Sequence, residues 1–161
     1  MGLRDRGNVK TLSGRDVSYF AQAGFSGCLV TGTIATTSGG TTRGTFASEE
    51  YDTDSYHDLV SNTGRLTAPT TGYYLIFAHG YQDAIVAASL DIFLQKNAAS
   101  NHGQARILIQ LGNTPWTIVA QLALTAGDDL ELVAVNNTTT ASQTTTVLGF
   151  GMTRLTNLAG T

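Results

Sequence analysis

The stretch GRLTAPTTGYYLIFAHG, from Gly64 to Gly80, contains the clearest structural signal in the chain. A polar segment runs into Pro69, turns through residues 70–72 and continues as a run of aromatic and aliphatic residues. Pro69 suits a strand end, where its missing N–H removes no ladder hydrogen bond, and Gly72 can adopt the backbone angles that a turn requires. The stretch therefore predicts a strand, a turn and a second strand.

Short β-type segments separated by turn signals follow one another along the rest of the chain. Apolar positions alternate with polar ones, and sustained helical periodicity is missing. Residues 36–45 are interpreted as a flexible loop, and residues 126–129 as a tight turn. Many short strands of this kind are typical of an all-β sandwich or barrel. The predicted strands are GCLVTGTIAT, TRGTFAS, TGYYLIFAHG, SLDIFLQKN, QARILIQLG, WTIVAQLAL, LELVAVN and TTTVLGFGMTRL.

Several of these strands carry apolar residues on both faces. A strand that is apolar on both sides is buried on both sides, whereas the outer faces of a lone two-sheet sandwich should be polar. We therefore expect one sheet to pack against another subunit. The residues predicted for this interface are Phe93, Val119, Val133 and Val135.

Length and charge limit the class of protein. A chain of 161 residues fits one domain. Charged residues make up 13% of it, about half the usual share, and a net charge of −3 provides no basic surface for nucleic acid. No apolar stretch approaches the ~20 residues that span a bilayer. Neither nucleic acid nor a membrane is expected as a partner.

The cysteine content and the first ten residues give no indication of a disulfide, a cysteine-rich zinc site or secretion. The single cysteine, Cys28, excludes an internal disulfide and a cysteine-rich zinc site. The first ten residues, MGLRDRGNVK, contain charges without a following apolar run, so no secretory signal peptide is expected.

Residues 1–26 differ in charge and in hydrophobic pattern from residues 27–161, which we interpret as the globular domain. They contain four of the nine Lys and Arg residues and little strand pattern. They are predicted to form an N-terminal arm that orders on a partner, the alternative being an arm that folds back on its own domain. Cations suit an acidic acceptor surface, and aromatic side chains suit apolar pockets in it. The predicted anchor residues are Arg4, Arg6, Lys10, Arg15, Tyr19 and Phe20.

No catalytic set can be assembled from the sequence, and no enzymatic activity is expected. Ser26 lies in GFSGC, which has Cys28 where a nucleophile elbow has its second glycine and which lacks the strand-to-helix context of that motif. The three histidines share no metal-ligand spacing. His79 is interpreted as a strand-end residue, and His57 and His102 as loop residues.

Two groups of aspartates are candidate cation ligands. Asp52, Asp54 and Asp58 lie close together, and oxygen ligands at that density can hold Ca²⁺. The segment lacks the glycine and the terminal glutamate of a calcium loop, and turn-forming roles are commoner for aspartate. Asp128 and Asp129 are likewise interpreted as turn residues. No cofactor is expected, with calcium at the first group as the alternative.

From Cys28 to Leu155 the chain resembles C1q/TNF-like jelly-roll domains. The residues that carry the resemblance are Phe46 and the motifs YDTDSYHD, GRLTAPTTGYYLIF, LQKN, LALTAGDDLELVAVN and LGFGM, in this order. The resemblance implies a two-sheet antiparallel jelly-roll sandwich in which Gly149 lets Phe150 approach the opposite sheet. It also implies a homotrimer with one sheet of each subunit facing the three-fold axis. The predicted core residues are Tyr74, Ile76, Leu122, Leu132 and Phe150.

The resemblance also implies a binding or structural role. Similar jelly rolls occur as short, stalkless trimers on bacteriophage particles, and this chain has no collagen stalk. We therefore expect a capsid decoration protein or short head fibre at the virion surface, anchored by the N-terminal arm to the major capsid protein or another virion protein. One alternative is the receptor-binding tip of a phage fibre, which would recognise a host glycan or surface protein. A second alternative is a secreted C1q/TNF-like ligand.

Overall fold

The computed structural model describes residues 26–84, 88–109, 112–137 and 141–155, which form β-strands and no helix. Within these ranges no helix is long and apolar enough to cross a bilayer. The strands are β1 (Gly27–Thr36), β2 (Thr41–Arg43), β3 (Thr45–Asp52), β4 (His57–Asp58), β5 (Asn62–Thr67), β6 (Gly72–Ala84), β7 (Ala88–Lys96), β8 (Ser100–Ile109), β9 (Gly112–Leu124), β10 (Asp129–Asn136) and β11 (Gln143–Leu155).

The strands form two antiparallel sheets that pack face to face. The first sheet has the order β3-β1-β11-β6-β9, and the second has the order β4-β5-β10-β7-β8, with β2 also paired to β10. Consecutive strands often belong to different sheets. The stretch from Gly64 to Gly80 is an example, because β5 lies in the second sheet and β6 in the first. The predicted strand, turn and strand are present, and the turn carries the chain from one sheet to the other.

The core lies between the two sheets and is built from the inward positions of each strand. Tyr74, Ile76, Leu132 and Phe150 are fully buried there, and Leu122 is partly buried and packs against the same cluster. The Tyr74 hydroxyl donates a hydrogen bond to the Thr70 carbonyl oxygen at 2.6 Å, so the polar end of this buried ring is satisfied.

One end of the core is polar. The amide of Gln82 donates from Nε2 to Gln143 Oε1 at 3.1 Å, and the Thr145 hydroxyl donates to Gln82 Oε1. Thr36 donates to the Gln143 carbonyl oxygen at 3.2 Å. All four residues are buried. Strand alternation places these four residues on the inward side. Because they are polar, the apolar pattern of the sequence does not identify them as core residues.

The structure corrects the interpretation of residues 36–45 as a loop. Thr41–Arg43 form β2, which pairs with Val133–Val135 of β10, and Gly44 N–H donates to the Leu132 carbonyl oxygen at 2.8 Å. Threonine and glycine dominate this segment, so it carries no apolar alternation that would mark a strand. The predicted turn at residues 126–129 is present, with Gly127 at a φ of 89°.

The roles of two glycines also differ from the prediction. Gly72 does not adopt a positive φ, so the turn does not require its conformational freedom. A Cβ at this position would lie 3.0 Å from Arg154 Nε, so the glycine leaves room for that side chain. A Cβ at Gly149 would lie 2.5 Å from His79 Cε1, on the side of the sheet away from the core. Gly149 therefore accommodates the His79 ring and does not act by bringing Phe150 towards the opposite sheet.

Replacing Tyr74 with alanine should destabilise the chain by about 3–5 kcal/mol, the range for removing a buried aromatic side chain. Tyr74→Phe is the matched control, because it keeps the ring and loses only the bond to Thr70, at a cost of about 1 kcal/mol. Urea unfolding measures both values. A Tyr74→Ala midpoint equal to that of the parent would show that Tyr74 contributes nothing to the core.

Candidate subunit interface

The side of the first sheet that faces away from the core is apolar and exposed. On β6, Tyr73, Leu75, Phe77 and His79 alternate with the inward positions and point away from the core. Val119 of β9 pairs with Phe77, and Leu155 of β11 pairs with Tyr73, so both share this side. This surface is called the outer apolar face, and its members are Tyr73, Leu75, Phe77, His79, Val119 and Leu155.

Exposed apolar side chains concentrate on this face. Val119 is 65% exposed, Tyr73 58%, and Leu75 and Leu155 39% each. These are four of the seven large hydrophobic side chains that are exposed in the described ranges. A contiguous exposed apolar patch of this kind marks an interaction site on a soluble protein.

Two glycines of β11 keep this face smooth. Gly151 pairs with Phe77, and a Cβ on it would lie 2.7 Å from Phe77 Cζ. Gly149 pairs with His79 and would meet that ring in the same way. The two rings of β6 therefore lie across β11 where side chains would otherwise stand. A flat surface can approach a partner closely over its whole area.

The face also lacks formal charge. Between Tyr73 and His79 of β6, the outward positions and their cross-strand partners are residues 73, 75, 77 and 79 on β6, residues 117, 119, 121 and 123 on β9, and residues 149, 151, 153 and 155 on β11. None of these positions holds Asp, Glu, Lys or Arg. Charged residues are depleted at the centre of protein interfaces, so the composition of the face is that of an interface core.

The four residues predicted for the subunit interface fall on two different surfaces. Val119 lies on the outer apolar face, whereas Phe93, Val133 and Val135 lie on the outward side of the second sheet, where Phe93 and Val133 are direct cross-strand partners. Val133 is 4% exposed within the single chain. The four residues therefore form no single face. Strand alternation separates two sides of a strand but does not say which sheet the strand joins.

The histidines are placed differently from the prediction. His57 belongs to β4 and its side chain is fully buried, with Nδ1 2.9 Å from Glu49 Oε1 and Nε2 3.2 Å from the Thr63 carbonyl oxygen. His79 lies in the interior of β6, and His102 is exposed on β8. The sequence gives little sign of the buried contact between His57 and Glu49, because the two residues are eight positions apart and form no recognised motif.

The aspartates of the 52–58 segment organise turns. Asp52 accepts hydrogen bonds from the backbone N–H groups of Tyr56 at 3.0 Å and His57 at 2.9 Å. Asp58 accepts from the N–H groups of Ser61 at 3.0 Å and Val60 at 2.8 Å, and these bonds lower the pKa of Asp58. Asp54 is exposed and accepts a bond from the Thr53 hydroxyl at 3.0 Å.

Across the described ranges, no three His, Cys, Asp or Glu side chains converge in a geometry that would hold a metal ion. Calcium at Asp52, Asp54 and Asp58 stays a sequence-based alternative.

Ser26 lies directly before β1, and its hydroxyl is hydrogen-bonded to the hydroxyl of Tyr56. Burial raises the pKa of Tyr56 to about 12, so this partner is not a base at neutral pH. Cys28 is buried as well, and burial raises the pKa of its thiol. The predicted anchor residues of the N-terminal arm lie outside the described residues.

Comparisons with known proteins agree on the architecture. No family model and no curated protein matches the sequence. Among solved structures, murine APRIL at pH 8.5 superposes with a TM-score of 0.59 at 10% identity, covering 81% of this chain and 99% of that chain. The chain has a TNF-like jelly-roll fold.

Murine APRIL at pH 8.0 matches with a TM-score of 0.58 at 9% identity, covering the same shares of both chains. Eiger TNF from S. frugiperda matches with a TM-score of 0.47 at 16% identity, covering 82% of this chain and 93% of that one. The two APRIL superpositions confirm the jelly-roll fold that the sequence resemblance implies. At these identities the likeness concerns the fold alone.

Proposed function

We propose that this chain assembles as a homotrimer through the outer apolar face and serves as a structural protein at the surface of a bacteriophage virion. A capsid decoration protein or a short head fibre is the form that fits best. The observation that supports the assembly is the outer apolar face itself, a smooth surface without formal charge on the outward side of the first sheet.

Covering this face is favourable for two reasons. Each Å² of apolar surface removed from water contributes roughly 25 cal/mol, and Val119, Tyr73, Leu75 and Leu155 all expose apolar area on it. No charged group on its outward positions has to lose its hydration when a partner approaches. A second copy of the chain offers a surface of matching composition. The number three rests on the resemblance to C1q/TNF-like domains.

The virion setting rests on composition and on the resemblance. Charged residues are 13% of the chain, which suits a protein whose surface is largely covered by other protein. The N-terminal arm carries cations next to Tyr19 and Phe20, a combination that suits an acidic surface of the major capsid protein or another virion protein. Neither nucleic acid nor a membrane is part of the proposal.

The proposed role is non-enzymatic and needs no cofactor. The one serine in an elbow-like motif, Ser26, has the Tyr56 hydroxyl as its side-chain partner within the described residues. It precedes a strand, whereas a nucleophile elbow joins a strand to a helix.

A second candidate function is the receptor-binding tip of a phage fibre. One observation favours it: a polar cleft on the second sheet, lined by Arg43, Arg65 and Glu131 among others, lies on the opposite side of the sandwich from the outer apolar face. Assembly through the first sheet would leave this cleft open to a host molecule.

Replacing Val119 with arginine should dissociate the assembly into folded monomers, because the new charge would be buried against a partner without a counter-ion. Val60→Arg is the matched control: Val60 is 89% exposed and lies in the loop between β4 and β5. Sedimentation velocity at micromolar concentration measures both variants. If Val119→Arg sediments like the parent and Val60→Arg, the outer apolar face is not the interface.

Deleting residues 2–20 tests the anchoring role of the N-terminal arm. The truncated protein should keep the sedimentation coefficient of an assembled jelly roll and fail to bind virions to which the parent binds. A variant with Arg4, Arg6, Lys10 and Arg15 changed to glutamine separates the cations from the aromatic residues. Full occupancy of particles by the truncated protein would place the anchor in the jelly roll.

A further inference from the structure

A polar cleft of about 510 Å³ opens on the outward side of the second sheet. Its floor is formed by β10 and β2, one wall by β5 with the loop before it, and the other wall by the turn between β7 and β8. The volume lies within the range of small-molecule sites, roughly 300–1,000 Å³. Its chemistry is decided by Arg43, Asn62, Arg65, Asn97, Asp129 and Glu131, all of which line it.

Two arginines present unused donors to this cleft. Arg43 Nε donates to Glu131 Oε2 at 2.8 Å, and Arg65 Nη1 donates to Asp129 Oδ2 at 2.6 Å. A guanidinium carries five N–H donors. Within the described residues, the two Nη groups of Arg43 and the Nη2 group of Arg65 make no further hydrogen bond. Their side chains are 55% and 39% exposed, so these donors are accessible to a ligand.

The charges of the cleft balance. Two arginines contribute +2, and Asp129 and Glu131 contribute −2, which leaves a net charge of zero. Glu131 is only 5% exposed, so a negative charge stands directly beneath the two guanidinium groups. The Glu131 carboxylate would repel a free inorganic anion, so the two arginines would bind such an anion only weakly.

The same cleft offers donors and acceptors side by side. The guanidinium groups and the amide of Asn62 donate, while the carboxylate of Asp129 and the hydroxyls of Ser61 and Thr63 accept. Each hydroxyl of a sugar both donates and accepts a hydrogen bond. Planar arginine and carboxylate groups can each engage two neighbouring hydroxyls at once. A ligand with several adjacent hydroxyls therefore satisfies more of these groups than an apolar or a purely anionic one.

The wall formed by the β7–β8 turn is held by hydrogen bonds to the turn between β9 and β10. Asn97 donates from Nδ2 to Asp128 Oδ1 at 2.8 Å, and its Oδ1 accepts from Asp129 N–H at 2.8 Å. Lys96 Nζ lies 2.7 Å from Asp128 Oδ2, and this bond is the main cause that lowers the pKa of Asp128 to about 2. Ala98 adopts a φ of 55°, a conformation that costs energy for a residue other than glycine. A wall fixed in this way loses little entropy when a ligand binds.

We propose that this cleft binds a neutral, hydroxyl-rich ligand, namely one monosaccharide unit of a glycan, through the unpaired donors of Arg43 and Arg65. Asn62 contributes a third polar contact from the wall. The lining residues belong to the second sheet and its loops, on the opposite side of the sandwich from the outer apolar face, so the proposed binding does not use the proposed subunit interface or the N-terminal arm. This proposal rests on the second candidate function, the receptor-binding tip, and names the class of ligand for it. The sugar site would remain valid if the N-terminal arm proved not to be the anchor.

Saturation-transfer difference NMR on the full chain tests the proposal. The probes are glucose, galactose, mannose and N-acetylglucosamine, with glucuronate and inorganic phosphate as anionic comparisons. We expect at least one neutral sugar to bind with a millimolar dissociation constant. Arg43→Lys, which keeps the charge beside Glu131 but removes the planar fork, should weaken binding about tenfold. Asn62→Ala, which touches neither ion pair, should weaken it as well.

Arg154→Lys is the matched control, because Arg154 lies on β11 of the first sheet, and it should leave sugar binding unchanged. Thermal melting of each variant shows that the fold is intact. Three results would overturn the proposal: no transfer signal from any of the four neutral sugars, binding of glucuronate or phosphate alone, or sugar binding that neither Arg43→Lys nor Asn62→Ala weakens.

Discussion

The structure depends on the double pairing of β6. This strand of 13 residues is paired with β9 over its whole length and with β11 over most of it, so its backbone is satisfied within the first sheet. Its side chains then alternate between two surfaces. Tyr74 and Ile76 bury one surface against the second sheet. Tyr73 and Leu75 leave the other surface apolar and exposed, and the proposed assembly follows from the need to cover it.

The two sides of the sandwich differ in a way that separates two roles. The outer apolar face of the first sheet holds no formal charge, and it is smooth because Gly149 and Gly151 leave room for the rings of β6. The outward side of the second sheet holds the paired charges of Arg65 and Asp129, which keep it hydrated. Self-association and ligand binding can therefore occur on opposite surfaces without competing.

Much of the fold could be predicted from the sequence, because alternation marks a strand wherever one face is apolar. The pattern could not assign strands to sheets, so Val119 was grouped with Val133, which lies on the other surface. Segments without apolar alternation were also missed, as with β2 and the buried His57. The polar cleft could not be predicted, since its residues come from β2, β5, β10 and the β7–β8 turn and meet only through the topology. In the sequence, Glu131 stands out only as a charged residue within the apolar run LELVAV, which does not identify its partners.

In the proposed assembly, the outer apolar face is covered by copies of the same chain. Sedimentation equilibrium of the unmodified protein at micromolar concentration tests it most directly. We expect a single species of three chains, about 51 kDa from three times 16.9 kDa. A stable, folded monomer of 16.9 kDa at that concentration would contradict it.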